Sequence, residues 1–158
     1  MTHDPVTYEP IGTVHSAFET PEDVPKHASD TVEMTGTVEL CEEYAEGLAE
    51  IEGFSHLTLV THLHGIDEPV MRCDPPFAEG VRPGIFATRG PRRPNPIGLS
   101  LVRLRGVDGA TLTVDDLDLV DGTPVLDVKP FAPKPGELEG LRGGWIEETT
   151  DQDFSRFR

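Results

Sequence analysis

The sequence predicts a mainly β chain: a single-domain antiparallel β-barrel with one main helix and a short irregular or helical C-terminal tail. Three observations lead there. Glycine and proline together supply 31 of the 158 residues and punctuate many short apolar runs. Those runs alternate apolar and polar residues with period two, as half-buried strands do. The length suffices for one core, and no repeat, heptad or linker divides it. The domain is therefore read as residues 1–158, with a core at 8–131 and a tail at 132–158.

The elements follow in order. Val6–Phe18, interrupted by Pro10, reads as an early strand. Val32, Met34, Val38 and Leu40 alternate with Glu33, Thr35, Thr37 and Glu39, which predicts a second. Glu42–Glu50 (EEYAEGLAE) reads as the main helix, with first-turn acids that suit the helix dipole and with Tyr44, Leu48 and Ile51 on one face. Phe54–His64 (FSHLTLVTHLH) is apolar and β-branched enough for a central strand, and Val81–Thr88 and Ile97–Val107 predict two more. Asp108–Gly109 and Asp121–Gly122 read as hairpin-type turns, with strands at Thr111–Val114 and Val125–Pro130. Glu68–Glu79, with Pro69, Pro75 and Pro76, reads as a loop. The tail from Pro133 is irregular, with a short helix expected near Asp151–Phe157.

The formal charge is −16, and only three of the thirteen basic residues are lysines (Lys26, Lys129, Lys134) against twenty-nine carboxylates. Such a surface keeps a protein dispersed in concentrated salt, where a Debye length of about 3 Å at 1 M relieves its self-repulsion. A halophilic cytoplasm is the expectation. No run of eighteen apolar residues occurs, and Met1-Thr2-His3-Asp4 lacks the order of a signal peptide, so neither membrane nor secretion is expected. Cys41 and Cys73 form no C-x-x-C pair, which suits a reducing compartment.

A generally basic nucleic-acid binder is excluded by that charge, but a local one is not. From Gly80 to Val107 there is no Asp or Glu, while Arg82, Arg89, Arg92, Arg93, Arg103 and Arg105 give the window +6. The remainder, with seven basic residues against twenty-nine acids, carries −22. Guanidinium forks bind phosphate or carboxylate oxygens at short range. Arg103 and Arg105 are also candidates for ion pairs with acids of other strands. Arg89, Arg92 and Arg93 lie in Phe86–Ser100 (FATRGPRRPNPIGLS), where Pro91, Pro94 and Pro96 fix φ and present Asn95 beside them. His62 and His64, two apart on a strand, would share a face, but no third ligand accompanies them and no metal is expected. Asp121 is either a turn residue or a carboxylate aimed at a cationic ligand; Asp118 and Asp127 flank it. The GxGxxG, P-loop, HExxH and GxSxG signatures are absent.

These segments resemble the TsaA-like (TrmO) family, S-adenosylmethionine-dependent tRNA methyltransferases built on a small β-barrel. The resemblance runs through Pro10–Phe18 (PIGTVHSAF), Glu42–His64, Ile85–Ser100 and Leu117–Phe131 (LDLVDGTPVLDVKPF), nearly all of residues 8–131. The R-x-P-N-P-I-G-L-S and D-G-T-P-V-L-D-x-K-P runs are its most specific parts. It implies methylation of N6 of N6-threonylcarbamoyladenosine at position 37, in the tRNA anticodon loop. It also implies cofactor contacts at Pro25, Lys26, His27, His64, Gly65, Arg89, Leu99, Leu119, Val120, Asp121 and Gly122, in a homodimer with cofactor sites near the subunit interface. Pro25-Lys26-His27 departs from the Pro-Arg-Gln usual in relatives, and this length leaves no room for the extra C-terminal domain of bacterial ones.

In that chemistry N6 is a poor nucleophile, delocalised into the purine and the carbamoyl group, and its proton needs a base or a water relay. His64 and Asn95 are the candidate catalytic residues, His64 for the proton and Asn95 to orient the carbamoyl group. Arg92 and Arg93, with Asn95, would meet the RNA through a phosphate or the threonyl carboxylate. Asp121 would hold the cofactor near its cationic end. Two other readings are a non-catalytic S-adenosylmethionine-binding module that docks on a protein partner and a small-molecule methyltransferase.

Overall fold

Among the residues the computed structural model describes (3–25, 34–66 and 68–155), six strands close into an antiparallel barrel. They are β1 (Gly12–His15), β2 (Gly36–Leu40), β3 (His56–His62), β4 (Ile97–Asp108), β5 (Thr111–Asp115) and β6 (Pro124–Pro130), in the order β1-β2-β5-β4-β3-β6, with β6 returning to β1. Closure leaves no sheet edge to template association. The chain forms two compact units: Met1–Gly65 with Pro96–Phe131, which holds the barrel, and Ile66–Asn95 with Ala132–Arg158.

Inward residues alternate as the pleat requires. Val14, Val38, Leu40, Leu57, Leu59, Val102, Leu112, Val114 and Val125 fill the interior, joined by Leu117 and Leu119 from the segment after β5. Two register shifts bend the wall, one between Leu104 and Gly106 of β4 and one opposite Val60 and Thr61, where β6 carries an extra residue. The β4–β5 hairpin turns on Gly109–Ala110, since Asp108 already pairs with Thr111. Gly109 has φ 58°, the positive first position of a II′ turn, and Ala110 tucks into the core. The turn thus sits one residue later than the Asp-Gly reading.

Other elements depart from expectation more instructively. Glu42–Leu48 is a 3-10 helix, not the α-helix expected over 42–50, and a second 3-10 turn spans Ile51–Gly53. Seven residues with three glutamates, a glycine and no side-chain cap offer little to sustain α geometry. In a 3-10 helix positions i and i+3 eclipse, so Ala45, Leu48 and Ile51 face the core and Tyr44 does not. Val81–Thr88 is not a strand: Pro83 and Gly84 break it, one isolated bridge joins Gly84 to Arg72, and Ile85–Ala87 forms a 3-10 turn. Asp121–Gly122 is not a hairpin turn, because β5 pairs with β2 and β4 while β6 pairs with β1 and β3. The tail helix, α1 (Trp145–Thr149), lies before the expected 151–157, and residues 151–154 are irregular.

One polar cluster ties β4 and β5 to the approach of β2. Thr35 Oγ1 donates to Asp115 Oδ1 at 2.8 Å, and Arg105 Nε donates to Asp115 Oδ2. The Thr35 hydroxyl, then Arg105, holds the Asp115 carboxyl below its ordinary value, against an opposing effect of burial. A carboxyl depressed by folding contributes stability above its unfolded pKa and loses it as pH falls through the folded one. Thr35→Val is therefore expected to melt below the wild type at pH 7. That gap should close as pH falls below the ordinary carboxylate range and through the lowered folded pKa, where the carboxyl protonates in both. Thermal melts across pH 2–7 check this; a gap independent of pH would exclude the carboxyl as its source.

Candidate functional site

In the barrel unit the D-G-T-P run forms a polar turn lashed to the end of β1. Thr123 N–H donates to Val120 O at 3.2 Å, and Gly122 at φ 78° supplies the left-handed position that a type II turn needs third. Gly122 N–H donates to Val14 O at 2.9 Å, and Asp121 N–H donates to Phe18 O at 2.7 Å. Ser16 completes the lashing, its N–H donating to Asp121 Oδ1 at 3.0 Å and its Oγ to Leu119 O at 2.7 Å. His15 Nδ1 lies 3.7 Å from the same Asp121 oxygen. Asp121 Oδ2 has no partner among the described residues. The turn therefore fixes a half-exposed carboxylate with one oxygen engaged and one available.

Next to it stands His64, whose ring Nδ1 is buried and without a hydrogen-bond partner among the described residues. Its Nε2 lies 4.0 Å from where a Cβ at position 122 would project, so His64 and Gly122 are neighbours. Thr61 Oγ1, inside the barrel, is likewise buried and unpartnered. A buried polar atom left unsatisfied costs stability, so such atoms call for a water, an ion or a ligand. Ser100, inward on β4, donates from Oγ to Asp118 Oδ1 at 2.6 Å. An anionic oxygen, an orphan ring nitrogen and a glycine that opens space beside it form a donor set that suits a small cationic molecule carrying a heterocycle.

Several expected contacts fall elsewhere. β3 ends at His62, which is exposed while His64 lies half-buried in the following turn, so the two do not share a strand face. Leu99 points outward from the first part of β4 in an apolar row with Ile97 and Leu101. Gly65 follows His64 with φ 70°. Pro25 is half-buried, and Lys26 and His27 lie outside the described residues. The structure joins His64, Asp121 and Gly122, and buries Leu119 beneath their turn. Ser16 and Ser100 were not singled out by the sequence. Their signal would have been a small hydroxyl at the end of a strand, or at an inward position of one.

The second unit arranges the arginine segment as a clasp. Arg93 Nη1 donates to three carbonyl oxygens, of Thr88 at 2.9 Å, Ile85 at 3.1 Å and Gly90 at 3.3 Å. Arg92 Nε donates to Glu68 O at 3.2 Å. Neither meets a carboxylate within ion-pairing distance among the described residues, and carbonyls do not neutralise a guanidinium. Arg82 pairs with Asp74, and Arg105 pairs with Asp115, as foreseen for a strand arginine. Arg89 and Asn95 are exposed. A shallow cavity of about 530 Å³ in this unit is lined by Arg142, Glu147, Glu148 and Phe154, among others, and includes none of the candidate residues.

A closed barrel with an anion-bearing polar turn, and without a glycine-rich phosphate loop, defines a ligand-binding β-barrel outside the Rossmann class. Residues 13–135 match the profile of the tRNA-methyltransferase O N-terminal domain, and the chain belongs to that family. A probable S-adenosyl-L-methionine-binding protein of Pyrococcus abyssi is 46% identical over 143 residues, which cover 90% of this chain and 77% of that one. A tRNA (adenine(37)-N6)-methyltransferase of Escherichia coli is 38% identical, covering 80% of this chain and 57% of that one. The crystal structure of TrmO from Pseudomonas aeruginosa superposes with a TM-score of 0.65 at 33% identity, over 91% of this chain and 61% of that one. The chain thus spans about three-fifths of the two bacterial proteins.

Proposed function

We propose that this protein is an S-adenosylmethionine-dependent tRNA methyltransferase whose target is N6 of N6-threonylcarbamoyladenosine at position 37. The observation that carries the reading is the family match over residues 13–135, within which the His64–Asp121–Gly122 cluster supplies donors suited to that cofactor. When bound, S-adenosylmethionine offers a methyl group on a sulfonium.

The chain's own residues have three tasks. Asp121 Oδ2 attracts a cationic part of the cofactor, and Ser16 holds the carboxylate so that little ordering is left to binding. His64 takes the N6 proton, directly or through a water. Arg92 and Arg93 engage an RNA phosphate or the threonyl carboxylate, and Asn95 orients the carbamoyl group, since positioning must supply much of the acceleration with so weak a nucleophile. Pro25, Lys26, His27, Gly65, Arg89, Leu99, Leu119 and Val120 complete the proposed cofactor contacts.

The protein acts as a homodimer in a salt-rich cytoplasm. The outward row of Ile97, Leu99 and Leu101 supports a second copy, because a strand that exposes three large aliphatics suits burial. The carboxylate excess over lysine supports the setting. Sedimentation equilibrium checks the first; a monomer mass at micromolar concentration removes the dimer.

The activity is tested with methyl-labelled S-adenosylmethionine and tRNA from a strain lacking this gene, followed by nucleoside mass spectrometry. Label in N6-methyl-N6-threonylcarbamoyladenosine is expected. Tight cofactor binding without transfer would favour the docking module, and label in a small molecule would favour the third reading.

A further inference from the structure

We propose that Phe86 is a stacking platform for an unpaired base of the RNA substrate, with Arg93 as its electrostatic backing. The proposal deepens the tRNA reading above and rests on it. Phe86 is 75% exposed, more than any other large aromatic among the described residues. Leaving that ring in water forgoes on the order of 1.5–3 kcal/mol of burial, and nothing in the packing of the unit requires it. Its position is nevertheless fixed. It is the middle residue of the Ile85–Ala87 turn, which Ile85 anchors by burial at 2% exposure. Ala87 N–H donates to Gly84 O at 2.9 Å, and Trp145 Nε1 donates to Ala87 O at 2.8 Å, with Trp145 stacked on Phe77 at 5.8 Å between centroids.

The Arg93 guanidinium carbon lies 5.8 Å from the Phe86 ring centroid, within reach of a cation–π contact. The same guanidinium is clasped by three carbonyls, so ring and cation are preorganised together. A rigid exposed ring beside a guanidinium that meets no carboxylate among the described residues suits a flat, electron-rich base on an anionic backbone. Sequence-specific recognition of RNA uses aromatic stacking on unpaired loop bases in this way. A loop of 3-10 and proline geometry orders little on binding. Stacking also survives in concentrated salt, where attraction between arginine and phosphate fades.

The test uses the full chain and a threonylcarbamoylated anticodon stem–loop, with affinity measured by fluorescence anisotropy from 0.1 to 1 M KCl. Phe86→Ala is expected to weaken binding about 5- to 100-fold, while Phe86→Tyr and Phe86→Trp stay within about threefold of wild type. The slope of log affinity against log salt should not change in Phe86→Ala, whereas Arg92→Ala should make it shallower by about 0.7 for one lost phosphate contact. Affinity of Phe86→Ala within twofold of wild type would overturn the proposal. So would a loss that tyrosine and tryptophan fail to restore. Methyl transfer is read on the same samples. A wild-type protein that binds this RNA with the Phe86 pattern but transfers no methyl group sinks the activity and leaves the platform standing. Transfer that proceeds with Phe86→Ala unchanged in affinity does the reverse.

Discussion

Methyl transfer to tRNA is expected to fall by about 100-fold or more in Arg93→Ala, with cofactor affinity held within a few-fold. The guanidinium serves the segment twice. Its Nη1 gathers the carbonyls of Ile85, Thr88 and Gly90, and its charge lies over Phe86. Truncation leaves three acceptors to be satisfied by water and removes a cation from a window that has no carboxylate to replace as partner. Each hydrogen bond to a charged group contributes about 1.5–3 kcal/mol, so losing the set outweighs the few tenths typical of a surface change. Arg93→Lys should restore the charge but not the planar fork, and recover only part of the rate. Single-turnover transfer and calorimetry with S-adenosylmethionine separate the two effects. Unchanged turnover defeats the role of Arg93.

Asp121→Asn is expected to weaken S-adenosylmethionine by about 10- to 100-fold while the fold persists. The amide keeps an oxygen that can accept from Ser16 N–H, so the turn stays lashed and only the negative charge is lost. The product S-adenosylhomocysteine has a neutral sulfur but the same ammonium group. A carboxylate facing the sulfonium predicts a loss for the substrate cofactor alone; one facing the ammonium predicts equal losses for both. Calorimetry with the two ligands reads the difference directly, and affinity unchanged for both would remove Asp121 from the site. Thr123 at 2% exposure and the backbone bonds from Asp121 and Gly122 argue that the turn itself survives.

What the sequence by itself determined is the strand content and the chemistry-bearing segments. Period two marked the strand at 36–40, because a pleated backbone forces alternation wherever one face is buried, and apolar, β-branched content marked the one at 56–62. The missing acids between 80 and 107 marked a locally cationic segment because charge is written directly in composition. Tertiary structure alone decided the rest. Along β4, Ile97, Leu99 and Leu101 look like the core face, yet Gly98, Ser100 and Val102 point inward, because only barrel closure says which side is enclosed. Gly98 has to be small there, since a Cβ would come within 2.5 Å of Thr61 Oγ1. The Asp121 turn was legible as a turn, but not its lashing to Ser16, 105 residues away, because hydrogen bonds across such separations exist only once the strands have closed. Arg93 read as a ligand-seeking cation, and only the folded loop brings three of its carbonyls to that guanidinium. Local pattern follows from the geometry of one strand; the contents of a site follow from which distant strands meet.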